Sequence, residues 1–106
     1  MKIEPNSDIG MRAEVILCHN DKIEFTNGNI LSVAELKAGG SSFDEFCDKI
    51  DPNTTFIDVL MPNPEDRDVF FLLREIGAKH EIHVQNVLLR ENEVWTKWHY
   101  YKKIIG

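Results

Sequence analysis

The chain of 106 residues is poor in the features that define several protein classes. Its two cysteines, Cys18 and Cys47, are too few and too far apart for a disulfide scaffold, and neither lies in a C-x-x-C motif. No apolar run approaches the ~18 residues of a membrane span. The opening MKIEPNSDIG has no signal-peptide apolar region, so a cytoplasmic location is expected. Positive charge is short as well. Lys and Arg number 12 against 18 Asp and Glu, a net charge of −6, which argues against nucleic-acid binding through a basic face. The one basic cluster, Lys97, Lys102 and Lys103 among Trp98, Tyr100 and Tyr101, reads as a half-exposed strand with solvated lysines rather than a stacking surface. The motifs G-x-S-x-G, Walker A and H-E-x-x-H are absent, and enzymatic activity is not expected. No internal repeat, low-complexity tract or linker divides the chain.

What remains is an ordinary globular composition, 42% hydrophobic and 28% charged, at a length that supports one core. The expected organisation is an N-terminal extension over residues 1–8 and a single domain over residues 9–106. AEVILCHN and KIEFTN read as strands joined by a turn at Asn20-Asp21, and Asn27-Gly28-Asn29 breaks the second. NILSVAELKAGG is weakly helical. In SSFDEFCDKI, Ser42 as N-cap and Glu45 form a capping box, and Phe43, Phe46, Cys47 and Ile50 keep helical spacing. TTFIDVL reads as one or two further helical turns before Pro62.

PEDRDVFFLLREIG is the best-marked helix. Asn63 caps it, Pro64 suits its first position, Glu65 and Asp66 complement the dipole, and Gly77 is its expected stop. Val69, Leu72, Leu73 and Ile76 form a buried stripe flanked by Phe70. Phe71 falls ~160° from the stripe's centre at ~100° per residue, on the outer face. KHEIHVQNVLL and EVWTKWHYYKKII, rich in β-branched and aromatic residues, read as two long strands in a hairpin. The order implies an α+β fold with an antiparallel sheet.

FIDVLMPNPEDRDVFFLLREIG, followed by the strand pair with Trp95, resembles the PAS domain family, and KIEFTN is similar to that family's second strand. The resemblance runs from about Ile9 to Gly106. It implies a five-stranded antiparallel sheet with helices on one face, enclosing a small pocket in many members. It also implies a sensory, signal-transduction role. PAS domains sense ligands, light, redox state or gas, or simply dimerise, and relay the signal to an output domain such as a histidine kinase of a two-component system or a diguanylate cyclase. One departure stands out: four strong strands are evident, and the chain stops at Ile104-Ile105-Gly106 where the family turns into its last strand. That leaves two unpaired sheet edges.

The resemblance brings cofactors into question. Some members hold haem through a histidine on the long helix, and PEDRDVFFLLREIG contains none; the flavin-binding branch carries Asn-Cys-Arg-Phe, also absent. Neither cofactor mode is expected. His80 and His83, three apart on an expected strand, point to opposite faces, and His19 and His99 are isolated, so no metal site is expected. Cys18 and Cys47 read as reduced core residues.

The ligand-pocket candidates are Asn86, which interrupts IHVQNVLL, together with His83, His99, Trp98, Tyr100 and Phe70; a solvent-facing role for the polar ones stays open. Phe71 is the interface candidate, and a homodimer is expected through it or through the Trp98 and Tyr100 face. Two other readings accompany the sensory one: a small conical α+β enzyme or binding protein with a His/Asp-lined cavity, and a ligand-free dimerisation adaptor.

Overall fold

The first hairpin forms where its turn residues place it. In the computed structural model, which describes residues 12–39 and 42–105, strand β1 (Arg12–His19) pairs antiparallel with strand β2 (Lys22–Phe25). Asn20 and Asp21 take φ of 54° and 58°, the left-handed pair of a type I′ turn. The expected extension over residues 1–8 lies outside the described residues. After the break at residues 27–29, strand β3 (Ile30–Ser32) pairs antiparallel with β2, where only weak helix was expected.

Ser32 then caps helix α1 (Val33–Ala38). Its hydroxyl accepts from the Glu35 amide, and the Glu35 carboxylate accepts from the Ser32 amide at 3.0 Å. That backbone bond foremost, and a second bond donated by the Ser32 hydroxyl to the same carboxylate oxygen at 3.0 Å, lower the pKa of Glu35. Helix α2 (Ser42–Asp48) follows as expected, except that Ser42 is already its first helical residue.

TTFIDVL is strand β4 (Thr55–Leu60), not helix. It pairs parallel with β1, Val15 opposite Asp58, and Ile57, Asp58, Val59 and Leu60 are all buried. A strand covered on both faces has no alternation to reveal it, and a short apolar run is then ambiguous between strand and helix.

The marked helix starts as its sequence says. The Asn63 side chain accepts from the Glu65 amide at 2.9 Å, and a 3-10 turn (Pro64–Asp66) leads into helix α3 (Arg67–Lys79). Gly77 does not stop it. The helix ends two residues later, at Lys79, in a Schellman motif, with the Ile82 amide donating to Gly77 O at 2.8 Å and Glu81 at φ 61° in the position glycine usually holds. Gly77 instead lets the chain pack closely. A Cβ there would sit inside contact distance of Val84 Cγ2 and 3.2 Å from Ile82 O.

The two long C-terminal strands do not form. Residues 79–89 contribute the helix end and strand β5 (Val84–Gln85), parallel to β4, and residues 91–105 are helix α4 (Glu91–Ile105). Val94, Trp98 and Tyr101 recur at helical spacing and pack on the sheet, while Glu93 accepts from the Arg90 amide at 2.9 Å ahead of the first turn. Burial of that stripe outweighs the strand preference of the individual residues.

The sheet therefore has the order β3-β2-β1-β4-β5 and is mixed rather than antiparallel. It has five strands among the described residues, with β3 and β5 at its edges. Helices cover both faces, not one. On one side α1, α2 and α3 pack through Leu36, Phe43, Cys47, Val69, Leu73 and Ile76 onto Ile16, Ile23, Ile57 and Val59; on the other, α4 packs Val94 and Trp98 onto Val15, Leu17 and Leu60.

Candidate functional site

Strand β5 is short because of Asn86. In the parallel ladder the Ile57 amide donates to His83 O at 2.9 Å, and two further steps would bring the Val87 amide to Val59 O. The Asn86 side-chain amide takes that acceptor instead, at 2.7 Å, and the backbone leaves the sheet. Val87 and Leu88 are consequently exposed, Leu88 to 91%. A parallel strand bonds its neighbour through alternate residues, so with His83 turned toward β4 the backbone groups of Val84 and Asn86 face outward.

Beside this edge runs a groove of about 460 Å³. Phe70, Arg74 and Ala78, one turn apart on α3, form one wall, and residues 82–86 form the other. It brings together three of the six pocket candidates: Phe70, His83 and Asn86. The other three lie elsewhere. Trp98 is 2% exposed in the core beneath α4, while His99 and Tyr100 lie on the exposed side of that helix. With no hairpin, Asn86 and His99 do not share a strand face. Arg74 and the exposed Leu88 were not singled out from sequence, where the run VLL reads as part of a long strand.

Phe71 is exposed, as the helical period predicts, and lines a second cleft of about 480 Å³ with Val33, Lys37 and Leu72. A third cleft of about 200 Å³ lies over β1 and β2 beside α4. His19 lines it with its ring 5.0 Å from Trp95, edge to face. Its Nδ1 is buried without a hydrogen-bond partner.

Three buried or half-buried carboxylate clusters are structural in geometry. Asp66, 5% exposed, accepts from the Asn20 amide at 3.2 Å and the Asp21 amide at 3.0 Å, fastening the β1–β2 turn to the start of α3. Asp58 meets Lys97 of α4 at 3.3 Å through one oxygen, and its other oxygen is buried without a partner. His80 lies between Asp44 at 3.1 Å and Asp48 at 3.0 Å, joining α3 to α2. Carboxylates only accept, so both contacts are hydrogen bonds when both ring nitrogens carry protons.

The thiols are not built for nucleophilic attack. Burial, followed by the negative charges of Asp66 and Asp21, pushes Cys18 up to about 12. Burial, followed by Asp44 and Asp48, pushes Cys47 up to about 12 as well. Thiolate, the reactive form, is scarce at neutral pH in both cases. Among the described residues no three His, Cys, Asp or Glu side chains are grouped to hold a metal ion, and no helix is long and apolar enough to cross a membrane.

Compared with known proteins, the chain matches no family model, no curated protein and no solved structure at a significant level.

Proposed function

We propose that this chain is a non-catalytic association module, the dimerisation adaptor among the readings its sequence admits, and that it works through the β5 edge. The observation that carries the reading is Leu88, 91% exposed and next to Val87, on a segment released from the sheet by a specific side-chain hydrogen bond. A single exposed leucine is ordinary, but an exposed apolar pair beside an open strand edge and a groove that Phe70 and Ile82 help to line is the composition of a docking surface. The filled cores on both faces and the protonated thiols agree with a role that needs no internal cofactor. Light scattering across a concentration series tests it: association is expected, and a monomer throughout refutes it.

A second reading keeps the sensory role that the PAS resemblance implies, with ligand binding relayed to an output domain. It is favoured by the convergence of Phe70, His83 and Asn86 on one groove. It ranks second because the mixed sheet with helices on both faces departs from the arrangement the resemblance implies. Native mass spectrometry of the purified protein distinguishes the two, since a bound small molecule adds mass to the monomer and association doubles it.

A further inference from the structure

We infer that the cleft between Trp95 and the β1–β2 hairpin is a binding site for a small aromatic carboxylate, with its ring against the Trp95 indole and its carboxylate between Lys22 and His19. The site lies on the α4 face over β1 to β3, toward the sheet edge opposite β5, so it does not depend on the association reading.

The cleft follows from how the sheet is covered. Strands lie ~4.8 Å apart and a helix is ~10 Å wide, so one helix roofs about two strands. Three helices share one face, but α4 alone packs on the other, with Val94 and Trp98 over Val15 and Leu17 of β1 and Leu60 of β4. Beside it the same face of β2 and β3 stays open. Register says which side chains lie there. Leu17 is opposite Glu24, His19 opposite Lys22, and Glu24 opposite Ile30; paired residues project to one face, as do alternate residues of one strand. Leu17 packs beneath α4, so His19, Lys22, Glu24 and Ile30 share its face, and all of them line the cleft with Trp95.

These side chains divide the cleft by chemistry. Leu17, the exposed Ile30 and the half-buried indole of Trp95 offer apolar and aromatic surface to a ring. Lys22 supplies the positive charge. Glu24 is already bonded to Lys102 of α4 at 3.1 Å, whereas Lys22 makes no ion pair among the described residues. His19 stands directly opposite Lys22. Its Nδ1 is buried without a partner, and a neutral imidazole donates through one nitrogen, so the tautomer that strands no buried N–H donates from Nε2. An ammonium and an imidazole N–H on opposed residues, ~5 Å apart at Cβ, suit the two oxygens of one carboxylate. Volume limits the remainder of the ligand. At about 200 Å³ the cleft is smaller than the ~300 Å³ at which sites for drug-sized molecules begin, which leaves room for a single ring system.

Proton–nitrogen correlation NMR of the full chain during titration with benzoate tests the inference. Saturable shifts are expected at the Trp95 indole N–H and at the Lys22 and Ile30 amides, with a Kd of about 1 mM, while the Val84 amide at the far edge stays unmoved. Benzylamine, which has the same ring and the opposite charge, and acetate, which has the carboxylate and no ring, are expected to bind at least ~10-fold more weakly. Lys22→Met, at an exposed side chain, is expected to keep the fold and raise the benzoate Kd ~10-fold, and Leu88→Asp to leave it unchanged. No saturable shift at ~10-fold above that Kd, shifts centred on another cleft, a Kd indifferent to Lys22→Met, or benzylamine binding as tightly as benzoate overturns the inference.

Discussion

Replacing Gly77 by alanine sets two well-measured effects against each other. In an exposed helix interior the change is favourable, by about 1 kcal/mol from helix propensity. At this site the added methyl meets Val84 Cγ2 inside contact distance, with Ile82 O at 3.2 Å and Val84 Cβ at 3.7 Å. The Val84 side chain is held to few rotamers by its branching, and its backbone belongs to the β4–β5 ladder. Ile82 is pinned by the hydrogen bond its amide donates to Gly77 O at 2.8 Å, so the segment cannot back away without losing the helix cap. Overpacking of this kind costs about 1–3 kcal/mol and is expected to outweigh the propensity gain, for a net loss of about 1–2 kcal/mol. For a domain of this size that is a fall in Tm of about 5–10 °C. Urea and thermal unfolding followed by circular dichroism measure it, and a double-mutant cycle assigns the cause. With Val84→Ala in the background Cγ2 is gone, and Gly77→Ala is expected to become neutral or stabilising by up to about 1 kcal/mol. A stabilising Gly77→Ala in the wild type, or an equal loss in both backgrounds, refutes the close approach of α3 and β5 as the reason for glycine.

Three further outcomes are expected. Asp66→Asn removes the charge and one acceptor from two turn amides, and is expected to cost about 2 kcal/mol in urea unfolding and to speed hydrogen exchange at Asn20 and Asp21. Glu81→Gly relieves a left-handed φ of 61° and is expected to stabilise the chain by about 0.5–1 kcal/mol, measured in a Leu88→Asp background so that association does not contribute. The cysteines make stability depend on alkaline pH. Both thiols rise from 9.0 to about 12 on folding, so their contribution is whole below pH 9.0 and is lost as pH climbs toward 12. In that window the folded chain holds protons that the unfolded chain has released, so stability against pH has a negative slope. Cys18→Ala with Cys47→Ala is expected to flatten it; an unchanged slope refutes the assignment.

Hydrogen-bond geometry explains why the edge was not legible in the residues alone. Asn86 was singled out as a polar interruption of an apolar run, and its amide does find a buried acceptor, but that acceptor is Val59 O, 27 positions away along the chain. Nothing near Asn86 announces β4, and with TTFIDVL read as helix there was no ladder for it to end. Phe70 and His83 stand on two elements that converge only through the turn after α3. Leu88 carries no local mark at all, since the same three letters in a paired strand are buried.

Sequence by itself determined what a few neighbouring residues decide: the turn at Asn20-Asp21, the start of the long helix at Asn63 and Pro64, and the outward placement of Phe71. Caps and turns are made of hydrogen bonds and φ preferences within about four residues, so their chemistry travels with the segment. Tertiary structure decided the rest. It made β4 a strand by laying it parallel to β1, beyond an intervening β2, β3, α1 and α2, and it made residues 91–105 a helix because Val94 and Trp98 had the open face of the sheet to cover. It also turned Gly77 from a stop into a contact. In each case the free energy comes from surfaces distant in sequence, and burial there exceeds the differences of a few tenths of a kcal/mol per residue on which local preference rests, about 0.7 at most for ordinary residues.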